Sequence, residues 1–497
     1  MTDSINIGKK LRAFVFDNIV TIIFVIFVIL GLSVATDLAF SFFVNDLLSR
    51  FFRNGFLVLS LIIPVMAGLG LNFGIVVGAL AGMLAIIAVR FMGVGGVPGL
   101  LLCALFALPL AMFFGFLTGK LYNKTRGQEM IASLIVGFFA TGIYQFITLF
   151  GIGGIIPTDP LNPMVMPDGV GLNATFDMGM HPSSPIYNPE TMTPGLAQVL
   201  DRLWMAPFVP VLIVVAVCML VFLIIKQRRS KKNPALRQTK KWVFILYCAI
   251  CVFFVLVGVH DLVIPAGGII FIMPGFIQAM GVRGILVPGS PLAGVRDIPA
   301  ITGVVIVVLC LFTHYFTKTK LGQDCRSVGQ SQHIAKVSGI NVDRTRIIAT
   351  MFSTVLASWG MIIFLQNMGT VSTYSAHVQI GMFSVASLLV GGASMSKASV
   401  KNALIGVILF NAMFIVSPAI GGLISNDVGV GEYTRSFMVY GVIGLALGLY
   451  IWKANKIAKS QEVLGDKPAD DAAQKTQSMI GSAGSGQNQT DSGQSDL

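Results

Sequence analysis

The sequence predicts an all-α protein, a polytopic transmembrane helical bundle of about ten to twelve spans, some of them broken or re-entrant. Hydrophobic residues make up 55% of the 497 residues and charged residues only 11%, whereas soluble domains carry about 25% charged residues. Long apolar runs recur along the chain, and the basic residues collect in short segments between them. The net charge of +12 comes mainly from these segments. Basic residues in short loops between apolar runs indicate membrane topology and not nucleic-acid binding.

The candidate spans follow from the length of about 20 mostly apolar residues that a helix needs to cross the hydrocarbon core. Residues 1–458 are assigned to one transmembrane domain on this basis. Residues 459–497 are rich in Ser, Gly, Gln and Asp, and are predicted to form a disordered cytoplasmic tail. The spans cover approximately residues 18–38, 55–71, 73–90, 97–118, 130–150, 206–225, 242–260, 298–317, 346–366, 380–396, 402–420 and 436–452.

The distribution of Lys and Arg predicts the orientation, because basic residues are retained on the cytoplasmic side. With both termini in the cytoplasm, the basic loop 226–241 and the loop 318–345 also lie inside. The proline-rich, acidic loop of about 151–205 then lies outside, with a short interfacial helix expected near its end. The segment of about 261–297 is apolar but broken by Gly and Pro, which fits either a re-entrant gate or a loop packed on the bundle.

The predicted spans are almost free of ionisable residues, with Arg90, Glu129 and Asp261 only at their edges. Ion-coupled transporters retain charges in the membrane because they need them, so this pattern disfavours that class. No catalytic or metal-binding motif is present, so no catalytic and no metal site is expected. The string from Gly115 to Lys120 has the wrong spacing for a phosphate-binding loop, so this chain is expected to bind no nucleotide or other cofactor itself.

Glycines at helical spacing, such as Gly74, Gly78 and Gly82, predict close helix packing. Just before them, the polar Asn72 between glycines interrupts an apolar run, which predicts a broken helix near mid-membrane. Broken helices in transporters commonly line the solute path. The residues predicted to line a translocation path are Asn72, Phe73, Gln145, Phe383 and Ser387.

The loop from Leu321 to Val342 reads LGQDCRSVGQSQHIAKVSGINV. It resembles the cytoplasmic loop of the membrane subunits of ABC importers, in the family of ribose and other simple-sugar, nucleoside and branched-chain amino-acid permeases. The motif from Leu389 to Ser394 is similar to that family's Gly-Gly-Thr/Ala-Ser element, whereas Phe383 stands where the family has an acidic residue. The residues that match the family's loop are Gly322, Gly329, Ala335, Ser338, Gly339, Ile340, Asn341 and Val342.

The resemblance implies a permease subunit in a bacterial cell membrane that is coupled to a separate P-loop ATPase, which would use the ATP. It also implies an extracytoplasmic solute-binding protein and a second permease copy or paralogue as partners, with a sugar as the first candidate solute and a nucleoside as the next. Membrane lipid is a further expected partner, and nucleic acid is not. The matching residues Gly322, Gly329, Ala335, Ser338, Gly339, Ile340 and Asn341 form the predicted ATPase-coupling loop.

Residues His333–Gly339 fit a short helix seated on an ATPase, with Ile334 and Val337 on one side and a helix end at Ser338-Gly339. Two alternatives stay open. A secondary transporter or channel is disfavoured by the missing intramembrane charges, and a membrane-embedded enzyme by the missing catalytic residues.

Overall fold

The computed structural model describes residues 18–34, 39–159, 162–179, 195–232, 297–394, 397–424 and 429–438, with scattered positions in 244–255 and 440–452. The predicted tail 459–497, residues 233–241 of the basic loop and residues 261–296 of the re-entrant candidate lie outside the described residues. Residues Ile443–Leu497 form a contact unit of their own. All elements with assigned bounds belong to the other unit, Met1–Val442.

Helices dominate the described part of the chain, which confirms the predicted fold class. A π-helical turn at Ile147–Gly151 continues directly from the helix that ends at Phe146. The helices are α1 (Ile19–Val34), α2 (Phe40–Ser60), α3 (Ile62–Met66), α4 (Ile75–Phe91), α5 (Gly96–Lys124), α6 (Glu129–Phe146), α7 (Val199–Leu203), α8 (Phe208–Lys232), α9 (Ala300–Phe316), α10 (Lys320–Gln330), α11 (Gln332–Val337), α12 (Val342–Met368), α13 (Ala376–Val390) and α14 (Val400–Ile424).

Five helical segments in the described residues are long and apolar enough to cross a membrane, and α9 with α10 makes a sixth if this pair, bent by 73°, counts as one span. Four further apolar helices, within α1, α4, α8 and α13, are shorter. The total of about ten to twelve spans stays a prediction. The five long segments are Ser41–Met66, Gly96–Lys124, Glu129–Gly151, Val342–Met368 and Val400–Gly422.

Two short antiparallel strand pairs lie together at one end of α12. Strand β1 (Thr175–Asp177) pairs with β4 (Thr370–Ser372), directly after α12 ends. Strand β2 (Met205–Ala206) pairs with β3 (Ile298–Pro299), and α7 supplies the short helix expected before it. We call this the strand end. The opposite end, where α10 and α11 precede α12, is the elbow end, and residues 317–341 are the elbow.

Helix α12 lies between α4 and α5, and glycines on both neighbours let the backbones approach closely. A Cβ atom on Gly78 would overlap the carbonyl oxygen of Thr354, and one on Gly82 would overlap that of Ser358. On α5, Gly115 and Gly119 face α12 in the same way. The glycine rows are therefore used for packing, as the sequence predicted.

Helix α2 corrects a predicted boundary. The sequence left residues 39–54 as a loop between two spans, but α2 runs through them, and its apolar segment continues to Met66. The reason is that the polar residues here follow helical spacing: Asp46 and Arg50 form an i,i+4 ion pair with a 2.9 Å Nε–Oδ2 distance. Arg53 lies over the Phe364 ring at 5.3 Å.

The candidate spans carry more charge than the sequence analysis expected. Asp46, Arg50 and Arg53 all fall within the candidate span Ser41–Met66. Arg346 likewise lies inside Val342–Met368 and is fully buried. On these candidate spans, the argument from scarce intramembrane charge against an ion-coupled transporter is weaker.

The break between α3 and α4 also lies elsewhere than predicted. Residues 67–74 form a turn, with left-handed glycines at Gly68 and Gly70. Asn72 in this turn contacts Tyr122 in the last turn of α5, and Gly68 contacts the elbow at Gly329. We call residues 67–74 the break. It lies at the elbow end and not midway along the bundle.

Substitution of Gly78 by Ala tests this packing. We expect Gly78→Ala to destabilise the folded protein by about 1–3 kcal/mol, because the added Cβ meets backbone atoms that cannot move aside cheaply. The measurement is the thermal unfolding midpoint in detergent. Gly142→Ala is the matched control, since nothing lies within 4 Å of the added Cβ there, and equal shifts in the two variants would contradict the packing.

Candidate functional site

The elbow is built from three successive helix starts, each capped by a side chain. The Thr319 Oγ1 accepts a hydrogen bond from the Gly322 N–H at 3.2 Å, and the Ser331 Oγ accepts one from the Ile334 N–H at 3.3 Å. Asn341 Oδ1 accepts from the N–H of Arg344 at 3.0 Å, which starts α12. Such caps fix where each helix begins, so they hold α10, α11 and α12 in a defined zigzag.

A small apolar cluster seats the elbow on the bundle. Val328 of α10, Ala335 of α11 and Val342 of α12 are all buried together, with Ile340 packed against them. Gly322 is buried where a Cβ would overlap the Phe316 carbonyl oxygen. Several of the predicted coupling residues therefore hold the elbow in place and do not face outward.

The other face of α11 points away from the bundle and carries two large apolar side chains. Ile334 is 66% exposed and Val337 is 77% exposed, one helical turn apart. The helix ends at Val337, Ser338 follows as its C-cap, and Gly339 adopts φ +81°, with Ser338 and Gly339 both exposed. This confirms the predicted short helix, its apolar side and its end. Two adjacent apolar side chains held outward on a capped helix form a surface that another protein can bury.

The elbow touches the break through two glycines. A Cβ atom on Gly329 would overlap the carbonyl oxygen of Met66, and a Cβ atom on Gly68 would overlap the Cα of Gly329. Gly68 also has φ +73°, which favours glycine. The backbone of α10 therefore lies directly on the backbone that leads from α3 into α4.

Hydrogen bonds join the break to α5 and α6. Asn72 Oδ1 accepts from the Tyr122 hydroxyl at 2.8 Å and from the Gly74 N–H at 2.9 Å. The Phe73 N–H donates to the Ser133 Oγ at 3.2 Å. Tyr122 and Asn72 are both almost completely buried, so their hydrogen bond holds the turn in a water-free setting.

A buried ion pair joins the start of α12 to the start of α6. Arg346 Nη2 lies 2.5 Å from Glu129 Oε1 and also donates to the Tyr122 carbonyl oxygen at 3.2 Å. The Arg346 side chain is fully buried, and its Nε and Nη1 have no hydrogen-bond partner among the described residues. One turn earlier, Arg126 and Asp343 form a second, exposed ion pair. The buried pair carries a large desolvation cost, which its single carboxylate offsets.

The five predicted path residues are not brought together. Asn72 and Phe73 lie in the break, and Gln145 is half-buried on α6. Phe383 packs on Phe410 and Phe414 of α14, with ring centroids 5.7 and 5.5 Å apart. Ser387 is buried where α13 meets α14, with its carbonyl oxygen beside Gly406. Their role in a translocation path stays a prediction.

The sequence did not predict a cavity at the strand end, which is lined by charged and apolar side chains. It has a volume of about 900 Å³, and none of the predicted path residues lines it. Its walls come from α2, α7, β3, α14 and the end of α12, which are far apart in the chain. The i,i+4 spacing of Asp46 and Arg50 is the one local signal that the sequence offered for it.

Comparison with known proteins places these features in a family context. The sequence profile described as branched-chain amino acid transport system / permease component matches residues 191–447, more than half of the chain, including the elbow. A stretch of 92 residues is 30% identical to the nucleoside ABC transporter permease protein NupB of Lactococcus lactis subsp. cremoris (strain MG1363), and it covers 18% of this chain and 25% of that relative. No solved structure matches the chain.

Removing one partner of the buried ion pair tests its role. We expect Glu129→Gln to destabilise the protein by about 3–5 kcal/mol, because it leaves the Arg346 charge buried and unpaired. Asp343→Asn is the control, since it breaks an exposed pair and should cost about 0–1 kcal/mol. Thermal unfolding of both variants in detergent checks the difference, and losses of similar size would refute the assignment.

Proposed function

The chain belongs to the family of permease components of branched-chain amino acid transport systems, and we propose that it is the transmembrane permease subunit of an ATP-driven importer for a small polar solute. As a family member it is a multi-pass membrane transport component and not an enzyme. The observation that supports the ATP-driven mechanism best is the capped helix α11, which holds Ile334 and Val337 outward while the adjoining α10 lies on the break.

The proposed docking site for the ATPase is the outer face of α11. Transferring an apolar side chain of this size from water into a partner's groove contributes about 1.5–3 kcal/mol. Lys336 and Arg326 of the elbow and Arg344 in the first turn of α12 are exposed and basic, which favours a groove with acidic rims. The ATPase supplies the nucleotide site, since this chain has no phosphate-binding loop.

The proposed route of coupling runs from the elbow to the break. A movement of α11 displaces α10 because the Val328–Ala335–Val342 cluster links them. Gly329 then presses on the backbone at Met66 and Gly68, where α3 ends. The buried Arg346–Glu129 pair carries the same movement into α6. Helices α4 and α6 would tilt together, as alternating access requires.

The proposed orientation places the elbow end in the cytoplasm and the strand end outside. Exposed Lys318, Lys320 and Arg326 near the elbow fit the cytoplasmic side. An extracytoplasmic solute-binding protein would dock at the strand end, and a second permease copy or paralogue would complete the channel. A sugar is the first candidate solute and a nucleoside the next, the latter supported by the name of the lactococcal relative.

A secondary transporter remains the second candidate, because α2 carries Asp46, Arg50 and Arg53 within a span. Uptake into right-side-out vesicles, with or without ATP enclosed in the lumen, separates the two. The proposal expects uptake that requires ATP on the elbow side and survives collapse of the proton gradient. Gradient-driven uptake without ATP would overturn it.

The docking face is tested by Ile334→Asp and Val337→Asp. We expect each to lower ATP-driven uptake and co-purification of the ATPase at least about tenfold, because the charge replaces an apolar contact. The matched control is Ile155→Asp, which alters an isoleucine that is 73% exposed near the strand end and should leave co-purification of the ATPase unchanged. Full uptake and ATPase retention in the α11 variants would show that the ATPase docks elsewhere.

The coupling route is tested by Gly329→Ala. The outer face of α11 is unchanged, so the ATPase should still bind and hydrolyse ATP, while uptake falls about 5- to 150-fold, the range of typical coupling energies. The reason is the overlap between the added Cβ and the Met66 carbonyl oxygen. Uptake and ATP hydrolysis are measured together in proteoliposomes, with Gly142→Ala as control. Unchanged uptake would exclude this route.

A further inference from the structure

The cavity at the strand end has the size and composition of a small-molecule site. Its volume of about 900 Å³ lies within the range of roughly 300–1,000 Å³ of such pockets. Among the described residues, three carboxylates line it, those of Asp46, Asp201 and Asp297, together with three guanidinium groups, those of Arg50, Arg202 and Arg435. The charges of these described side chains balance, so they favour neither a net anion nor a net cation.

Most of these charges already have partners inside the protein. Arg50 Nε lies 2.9 Å from Asp46 Oδ2, and Arg202 Nε donates to the Gln198 Oε1 at 3.0 Å. Arg435 is paired with Glu432. A zwitterion would have to compete with these pairs. A solute with hydroxyl groups would not have to break them. A hydroxyl can donate to a free lone pair of a carboxylate and can accept from an N–H group that the internal pairs do not use.

Asp201 gives the cavity a fixed acceptor. It is 7% exposed, and its Oδ1 accepts from Thr302 Oγ1 at 2.6 Å while its Oδ2 accepts from Asn367 Nδ2 at 2.7 Å. The two hydrogen bonds lock the carboxylate, and each oxygen keeps a further lone pair for a ligand.

The backbone beside Asp201 is strained. Gln198, just before α7, has φ +54°, the single positive value at a non-glycine among the described residues. Its N–H donates to the Gln366 carbonyl oxygen at 2.6 Å, and Gln366 is fully buried. Non-glycine residues held in this region cluster at ligand sites, where the surroundings enforce them. Here the hydrogen bond to Gln366 holds Gln198 in this conformation, and Gln198 positions α7 and Asp201 at the cavity wall.

We propose that this cavity binds a neutral polyhydroxylated ring, such as a free sugar or the ribose of a nucleoside. The carboxylates and guanidinium groups take the hydroxyls, and the Phe42 ring, which is 57% exposed at the wall, packs against the apolar face of the ring. This inference deepens the proposed function and rests on it, since it assumes that the chain carries a small polar solute. In this proposal, a solute that enters from the strand end binds first in this cavity.

Protection from thiol labelling tests the site without the ATPase. The six native cysteines are replaced by Ala, and Ser49→Cys is introduced at the cavity wall. The purified full-length chain is labelled with a charged methanethiosulfonate reagent, alone or with ribose, galactose, uridine, leucine or glutamate. We expect at least one of the neutral ring solutes to slow labelling of Ser49→Cys, and leucine and glutamate to leave it unchanged. Labelling of the control variant Asp168→Cys, at an exposed position in the loop after α6, should not respond.

Two Asp-to-Asn variants, one at the cavity wall and one away from it, make the test specific. Asp297→Asn, which changes an exposed cavity-wall residue, should raise the solute concentration for half-maximal protection about tenfold, the loss of one hydrogen bond to a charged group. Asp168→Asn should not. Protection by none of the ring solutes, protection by leucine or glutamate, or equal slowing at both cysteines would overturn the proposal. ATP-driven uptake by the wild-type complex is measured separately. Absence of that uptake would count against the proposed function and not against the cavity.

Discussion

The close backbone contact of α12 with α4 and α5 is the constraint on which the other features depend. Gly78 and Gly82 on one side, and Gly115 and Gly119 on the other, are the positions where a Cβ would overlap α12. With larger residues there, α12 could not lie between the two helices. This arrangement places the start of α12, and therefore the elbow before it, against the end of α5 and the break before α4.

Charge reinforces this arrangement at the elbow end. The fully buried Arg346 would destabilise α12 without the Glu129 carboxylate, so α6 must start beside α12. Tyr122 then connects the pair to Asn72 in the break. In the proposed coupling, these links would transmit a displacement of the elbow to α4 and α6 together, as a permease driven by another subunit requires.

The sequence predicted what depends on local pattern. The apolar pair Ile334 and Val337, followed by Ser338-Gly339, is enough to predict a short, half-exposed helix and its end. Asn72 between glycines predicts a break. It could not predict contacts between distant segments: the Glu129–Arg346 pair is separated by 217 positions. Helix α2 was misread because its ion pair and its Arg–aromatic contacts make charged residues compatible with an apolar helix. Asp46 and Arg50 also line the cavity, so the misassignment of α2 left the cavity unpredicted as well.

The docking of an ATPase on α11 is the central claim, and photo-crosslinking in intact membranes tests it most directly. A photoreactive amino acid at position 337, where Val337 is 77% exposed, should yield a covalent product of this chain with a P-loop ATPase subunit. The same probe at position 155, near the strand end, should yield none. A probe at 337 that attaches only to lipid, or that labels the ATPase no better than the probe at 155, would contradict the account.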